Sequence, residues 1–202
     1  MNVFKRSFLW VLVAGGSLFL IYAALTLGPF QFDPAKKELW SIVFWNIRFP
    51  RMLLAILCGG ALALGGVIYQ ALLKNPLAEP YLLGVSSGAA VGAVIAVIIG
   101  SSIIPAFAFA GALGAFFLIV LLAKLSGKVS SYSLILSGIV LNSFFSAIIS
   151  LLLSLFPRKT FGILFWLMGN LESTDMKILL LFAGVFIVIT IIALLYHRTL
   201  DL

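Results

Sequence analysis

Between Glu79 and Lys124 the chain runs through 44 consecutive residues without a single charged side chain. About 20 apolar residues carry a helix across the hydrocarbon of a bilayer, so this block alone is long enough for two crossings. Charge-free stretches recur at residues 7–32, 52–73 and 129–157. A chain built this way must hide most of its length from water, and lipid is the solvent that allows it.

Composition points the same way. Of 202 residues, 63% are hydrophobic and 9% charged, and the mean hydropathy is +1.26. A soluble domain carries about 25% charged residues. Soluble enzymes, disordered chains and nucleic-acid modules are therefore excluded. The net charge of +7 comes from lysines and arginines that stand singly or in pairs between apolar blocks, with no basic tail. The lone cysteine, Cys58, lies inside an apolar block and rules out a disulfide framework.

Turn-forming residues divide the apolar blocks into spans. Gly100-Ser101-Ser102 and Pro105 punctuate the longest block. Six spans result, at about 7–27, 52–73, 84–100, 105–123, 131–156 and 178–196. The expectation is an all-α, polytopic transmembrane helical bundle, one domain over 1–202. Phe161–Met168 is apolar but too short to cross and reads as an interfacial or re-entrant piece. The first apolar run exceeds the usual 7–15 residues of a signal-peptide core, so it is read as a retained span. Lysines and arginines divide almost evenly between the two sides, and the positive-inside rule does not orient the chain. An even number of spans places both termini on one side.

No span contains Asp, Glu, Lys, Arg or His. Ionisable groups inside the membrane mark proton relays and voltage sensors, so these functions are disfavoured. No phosphate-binding loop is present, since Gly127-Lys128 is followed by Val129, and ATP hydrolysis is not expected of this chain. No cofactor or metal set is legible, and His197 reads as an interfacial residue. The spans carry two other patterns. Gly84, Gly88, Gly92, Ala96 and Gly100 recur every four residues, as do Ala55, Gly59 and Ala63. Both read as strips for close helix packing within one protomer. In the fifth span Asn142, Ser146, Ser150 and Ser154, with Ser143, lie within a 120° arc at 100° per residue. The arc reads equally as a substrate pathway or a helix–helix interface.

The connecting segments are the most specific part of the sequence. Arg48-Phe49-Pro50-Arg51 leads into the second span. That span ends in Gln70-Ala71-Leu72-Leu73-Lys74-Asn75-Pro76-Leu77-Ala78-Glu79-Pro80, followed by Leu83-Gly84-Val85-Ser86-Ser87-Gly88-Ala89. Phe165-Trp166-Leu167-Met168-Gly169 precedes the sixth span. Together these segments resemble the FecCD-type permeases, the membrane subunits of ABC importers for cobalamin, ferric siderophores and haem. The resemblance runs from about residue 40 to the end. It implies an N-terminus in the cytoplasm of a bacterial or archaeal cell, in the inner membrane, and a fold of about ten spans, of which six are present. The expectation is a fragment or truncated product that lacks the later spans and the coupling helices.

The resemblance also implies partners: a second permease subunit, ATP-binding subunits that use the ATP, an extracytoplasmic substrate-binding protein, and membrane lipid. Residue by residue, it places Asn75 and Leu77 in one cytoplasmic gate and Ser130 and Ser131 in another. It places the arc of Asn142, Ser143, Ser146 and Ser150 on the central pathway, and it makes Arg48 the residue that docks the binding protein. Asn75 also reads as an ordinary turn-former and Ser130 as a helix cap. A secondary transporter or channel is the alternative class.

Overall fold

The computed structural model describes residues 3–27, 36–76, 78–79, 84–171 and 176–196. They form helices α1 (Val3–Thr26), α2 (Lys37–Val43), α3 (Phe49–Leu73), α4 (Val85–Ile99), α5 (Ile104–Leu125), α6 (Ser131–Leu155), α7 (Thr160–Leu167) and α8 (Met176–Leu195). A π-helical turn, Phe44–Arg48, joins α2 to α3, and a 3₁₀ turn, Pro157–Lys159, precedes α7. Packing divides the chain into two units, Met1–Gly60 with Leu171–Ile189 and Ala61–Asn170 with Thr190–Leu202.

Five helical segments are long and apolar enough to cross a membrane: Ser7–Thr26, Lys37–Leu73, Ile104–Leu125, Ser131–Leu155 and Met176–Leu195. The sequence reading differs in two places. The stretch at 84–100 forms a helix of only 15 residues, about 22 Å at 1.5 Å per residue, which is short of the hydrocarbon thickness. Gly84 and Gly100 stop it at both ends in left-handed conformations, with φ of 72° and 73°. At Gly100 the amides of Gly100 and Ser101 return to the carbonyls of Val97 and Ala96 at 3.2 and 2.9 Å, the paired bonds of a Schellman end.

The second difference is at Pro50, which lies just before the span read above at 52–73. Instead, helical structure runs unbroken from Lys37 to Leu73. Proline inside a helix lacks a donor and collides with the carbonyl four residues back. Here that residue is Asn46, and it lies inside the π-helical turn, where the Phe49 amide bonds to the Phe44 carbonyl five residues back. The wider turn lets the helix pass the proline. Rings of Trp40, Phe44, Trp45 and Phe49 follow one another along it, with successive centroids 5.0, 5.1 and 5.4 Å apart.

In the first unit, Leu57 of α3 and Leu179 of α8 are buried, and the Phe186 ring lies over Gly60, 3.0 Å from where a Cβ would stand. Arg51 Nε donates to the Leu171 carbonyl at 2.9 Å. The packing strip expected at Ala55, Gly59 and Ala63 is a correction. All three are exposed, and a Cβ on Gly59 would meet nothing within 4 Å.

In the second unit α4 is the hub, packing on α5, α6 and α7. Its glycine strip divides into separate tasks. Gly88 and Gly92 are buried against α5, where an added Cβ would strike the carbonyls of Gly111 and Phe107. Gly84 faces the Gly138 carbonyl of α6, with 2.8 Å between that oxygen and an added Cβ. Gly100 is exposed and serves only to end the helix. A compact core of Ala115, Ile119, Leu141 and Phe145 joins α5 to α6.

Candidate functional site

Helix α6 carries the candidate pathway. Ser130 starts it: its Oγ accepts from the Ser133 amide at 3.1 Å, and Ser133 Oγ accepts from the Ser130 amide at 2.9 Å. This reciprocal capping box satisfies two orphan donors at the helix start. Ser131 follows as the first helical residue and is half-buried. The buried face of α6 comprises Ser133, Ser137, Gly138, Leu141 and Phe145, with Leu134 and Ile148 packed beside them.

At 100° per residue the centre of that face lies roughly 160° from the centre of the polar arc. Ser143, Ser146, Ser150 and Ser154 are accordingly exposed and Asn142 is half-buried. The serines satisfy themselves in part. Ser143 Oγ donates to the Ile139 carbonyl at 3.1 Å and Ser150 Oγ to the Ser146 carbonyl at 3.0 Å. A hydroxyl that has given its only hydrogen to its own helix presents acceptor lone pairs outward. The same face nearer the start of α6 is apolar, with Tyr132, Leu136 and Ile139 exposed. The arc is therefore a short, weakly polar strip over the second half of the helix, without charge. Such a strip can lubricate passage of a bulky polar solute without gripping it.

The segments read as gates converge at the start of α6. After α3, Lys74 adopts a left-handed conformation at φ 48°. The Lys74 and Asn75 amides return to the carbonyls of Ala71 and Gln70 at 3.2 and 3.1 Å, again a Schellman end. The Asn75 carbonyl then accepts from the Ala78 amide at 3.0 Å, closing a turn with Pro76 in its favoured second position. That turn puts Ala78 in a buried cluster with Leu73, against Tyr69, Val85, Leu134 and Ile135. Ala78, three residues after Asn75, thus packs against the first turn and a half of the helix that Ser130 caps. Leu77 lies outside the described residues.

Arg48 occupies a different place in the fold. Its Nη1 donates to the carbonyls of Leu25 and Thr26 at 2.8 and 3.0 Å, the last residues of α1. Sequence reasoning missed this contact. Arg48 is the last residue of the π-helical turn that precedes Pro50. Phe161–Met168, read as an interfacial or re-entrant piece, falls on α7, with Met168 as its C-cap. Ile163 is fully buried and Gly162 lies beside Val97 of α4, while Phe161, Phe165 and Met168 are exposed. Among the described residues, no three of His, Cys, Asp or Glu come together in a way that could hold a metal ion.

Comparison with known proteins identifies the family. The family model of the FecCD transport family matches residues 9–202. The chain is 37% identical over 175 residues to an uncharacterized ABC transporter permease protein, YvrB, of Bacillus subtilis, covering 83% of this chain and 50% of that protein. It is also 37% identical over 169 residues to the cobalamin import system permease protein BtuC of Halobacterium salinarum, covering 80% and 44%. A solved inward-facing structure, described as a metal-chelate type ABC transporter, superposes with a TM-score of 0.77 at 31% identity. It covers 93% of this chain and 61% of that one. The chain spans about half the length of the curated relatives it matches. With a membrane-helical fold and a family match over nearly all of its length, this chain belongs to the FecCD transport family of ABC permeases.

Proposed function

We propose that this chain is permease sequence of a binding-protein-dependent ABC importer that passes a metal chelate of the iron-siderophore, haem or cobalamin type inward across a prokaryotic cytoplasmic membrane. The observation that carries the reading is the arc of Asn142, Ser143, Ser146 and Ser150 on the open face of α6. A membrane helix gains nothing by showing such a strip to lipid, and a second permease subunit facing it would enclose a polar path. ATP-binding subunits would drive the cycle, and this chain would perform no covalent chemistry. The N-terminus would lie in the cytoplasm, with Asn75, Leu77, Ser130 and Ser131 at the cytoplasmic gates. Arg48 would lie at the other end, where the binding protein docks, held by its bonds to α1.

Uptake tests the proposal. Cells lacking the gene, and cells carrying Ser146→Arg, are supplied with a ferric hydroxamate, haemin or cyanocobalamin. Uptake of one of these falls at least about tenfold in both strains, although the variant is present in the membrane, and ATP depletion abolishes it. Undiminished uptake of every probe in the deletion strain, or uptake that follows an ion gradient and ignores ATP, overturns the reading in favour of another transport class.

A further inference from the structure

The attachment of α1 is confined to one end. Every described side chain from Ser7 to Leu20 is exposed, and the half-buried residues Ile21, Ala23, Leu25 and Thr26 all fall in the last two turns. The chief packing partner of α1 is the π-helical turn Phe44–Arg48. From that turn both hydrogens of Arg48 Nη1 reach the carbonyls of Leu25 and Thr26. These are among the carbonyls that the end of a helix leaves without an intrahelical partner, and the negative end of the helix dipole favours a cation there.

We propose that Arg48 is a clasp: a cross-helix C-cap that fixes the end of α1 to the rest of its unit. The π-helical turn, which ends at Arg48 two residues before Pro50, places the clasp. A guanidinium suits the task because one nitrogen carries two hydrogens in a fixed plane and binds neighbouring carbonyls together. A lysine at the same site keeps the charge and some of the bonding but loses the fixed geometry. The inference is independent of any role for Arg48 in docking a partner.

Hydrogen exchange of the whole 202-residue chain in lipid nanodiscs tests it. In Arg48→Ala, amides of the segment 23–27 exchange about tenfold faster than in the unaltered chain, because that turn frays once its carbonyls lose their partner. Arg48→Lys restores part of the protection. Arg51→Ala, which removes the bond to the Leu171 carbonyl, leaves the 23–27 segment unchanged. If Arg48→Ala fails to insert, Arg48→Gln, which keeps two amide donors without charge, is read against the same segment and exchanges at a rate between those of the lysine variant and the frayed turn. Unchanged protection of 23–27 in the alanine or glutamine variant overturns the clasp, as does equal loss with Arg51→Ala.

Discussion

Gly88 of α4 and Gly111 of α5 meet backbone to backbone: a Cβ on Gly88 would stand 2.7 Å from the Gly111 carbonyl oxygen, and one on Gly111 would strike the Gly88 carbonyl. Contact this close is open only to residues without side chains, and in lipid it supplies the dispersion and weak Cα–H···O contacts that hold helices together. Gly111→Ala is therefore expected to force the two helices apart. The obstructing atoms are backbone and cannot swing aside, so the cost is at the upper end of overpacking, about 3 kcal/mol. Gly114, one turn along α5, has nothing within 4 Å of an added Cβ. Gly114→Ala should be neutral or stabilising by up to about 1 kcal/mol. Thermal unfolding of the two variants in detergent micelles checks the contrast.

The fold was legible where the physics is one-dimensional. Charge-free length marks a membrane helix whatever its neighbours, and the helices at Ile104–Leu125, Ser131–Leu155 and Met176–Leu195 follow closely from it. Three-dimensional choices were not legible. The strips at Ala55-Gly59-Ala63 and Gly88-Gly92-Ala96 look alike as sequence, yet the first is exposed and the second buried, because only the second has a partner helix with its own glycine at the crossing. The polar arc was readable from spacing alone, while the Arg48 contact with α1 joins residues more than 20 apart and leaves no periodic trace.

Ser130 is both a candidate gate residue and the cap of α6, and the two roles separate by substitution. Loss of the hydroxyl in Ser130→Ala removes a bond to the Ser133 amide and is expected to cost about 1 kcal/mol. Ser130→Thr keeps an acceptor and should cost a few tenths. Ser131→Ala, at the first helical position, should fall within about 0.5 kcal/mol of no effect. Unfolding midpoints of the three variants measure these costs. Uptake in the same strains then reports gating, since a residue that only caps loses transport in proportion to folded protein.

Lys74 holds a left-handed backbone at φ 48°, a conformation that costs a residue with a side chain about 1–2 kcal/mol. The paired bonds from Lys74 and Asn75 to Ala71 and Gln70 keep it there. Lys74→Gly relieves the strain but enlarges the freedom of the unfolded chain, so the net gain should be about 0.5–1 kcal/mol. Lys74→Val places a β-branched side chain in the same conformation and should be destabilising. Slower hydrogen exchange of the amides of residues 74 and 75 in the glycine variant, and faster exchange in the valine variant, is the expected pair of results.

The exposed face of α6 meets either lipid or water, and thiol chemistry distinguishes them. A cysteine reacts as its thiolate, and an apolar surround raises the pKa of the thiol and silences it. In a Cys58→Ser background of the whole importer, Ser146→Cys and Ser150→Cys should react with a membrane-impermeant methanethiosulfonate at least about tenfold faster than Leu151→Cys or Phe117→Cys. The two controls are also exposed in the chain, at 58% and 66%, so exposure alone does not separate the sets. Leu141→Cys, in the packed core with Phe145, should be slower still. Addition of the transported chelate should protect Ser146→Cys and leave Phe117→Cys unaffected. Equal rates at Ser146, Leu151 and Phe117 would assign the arc to lipid or to a dry helix contact and remove it from the pathway.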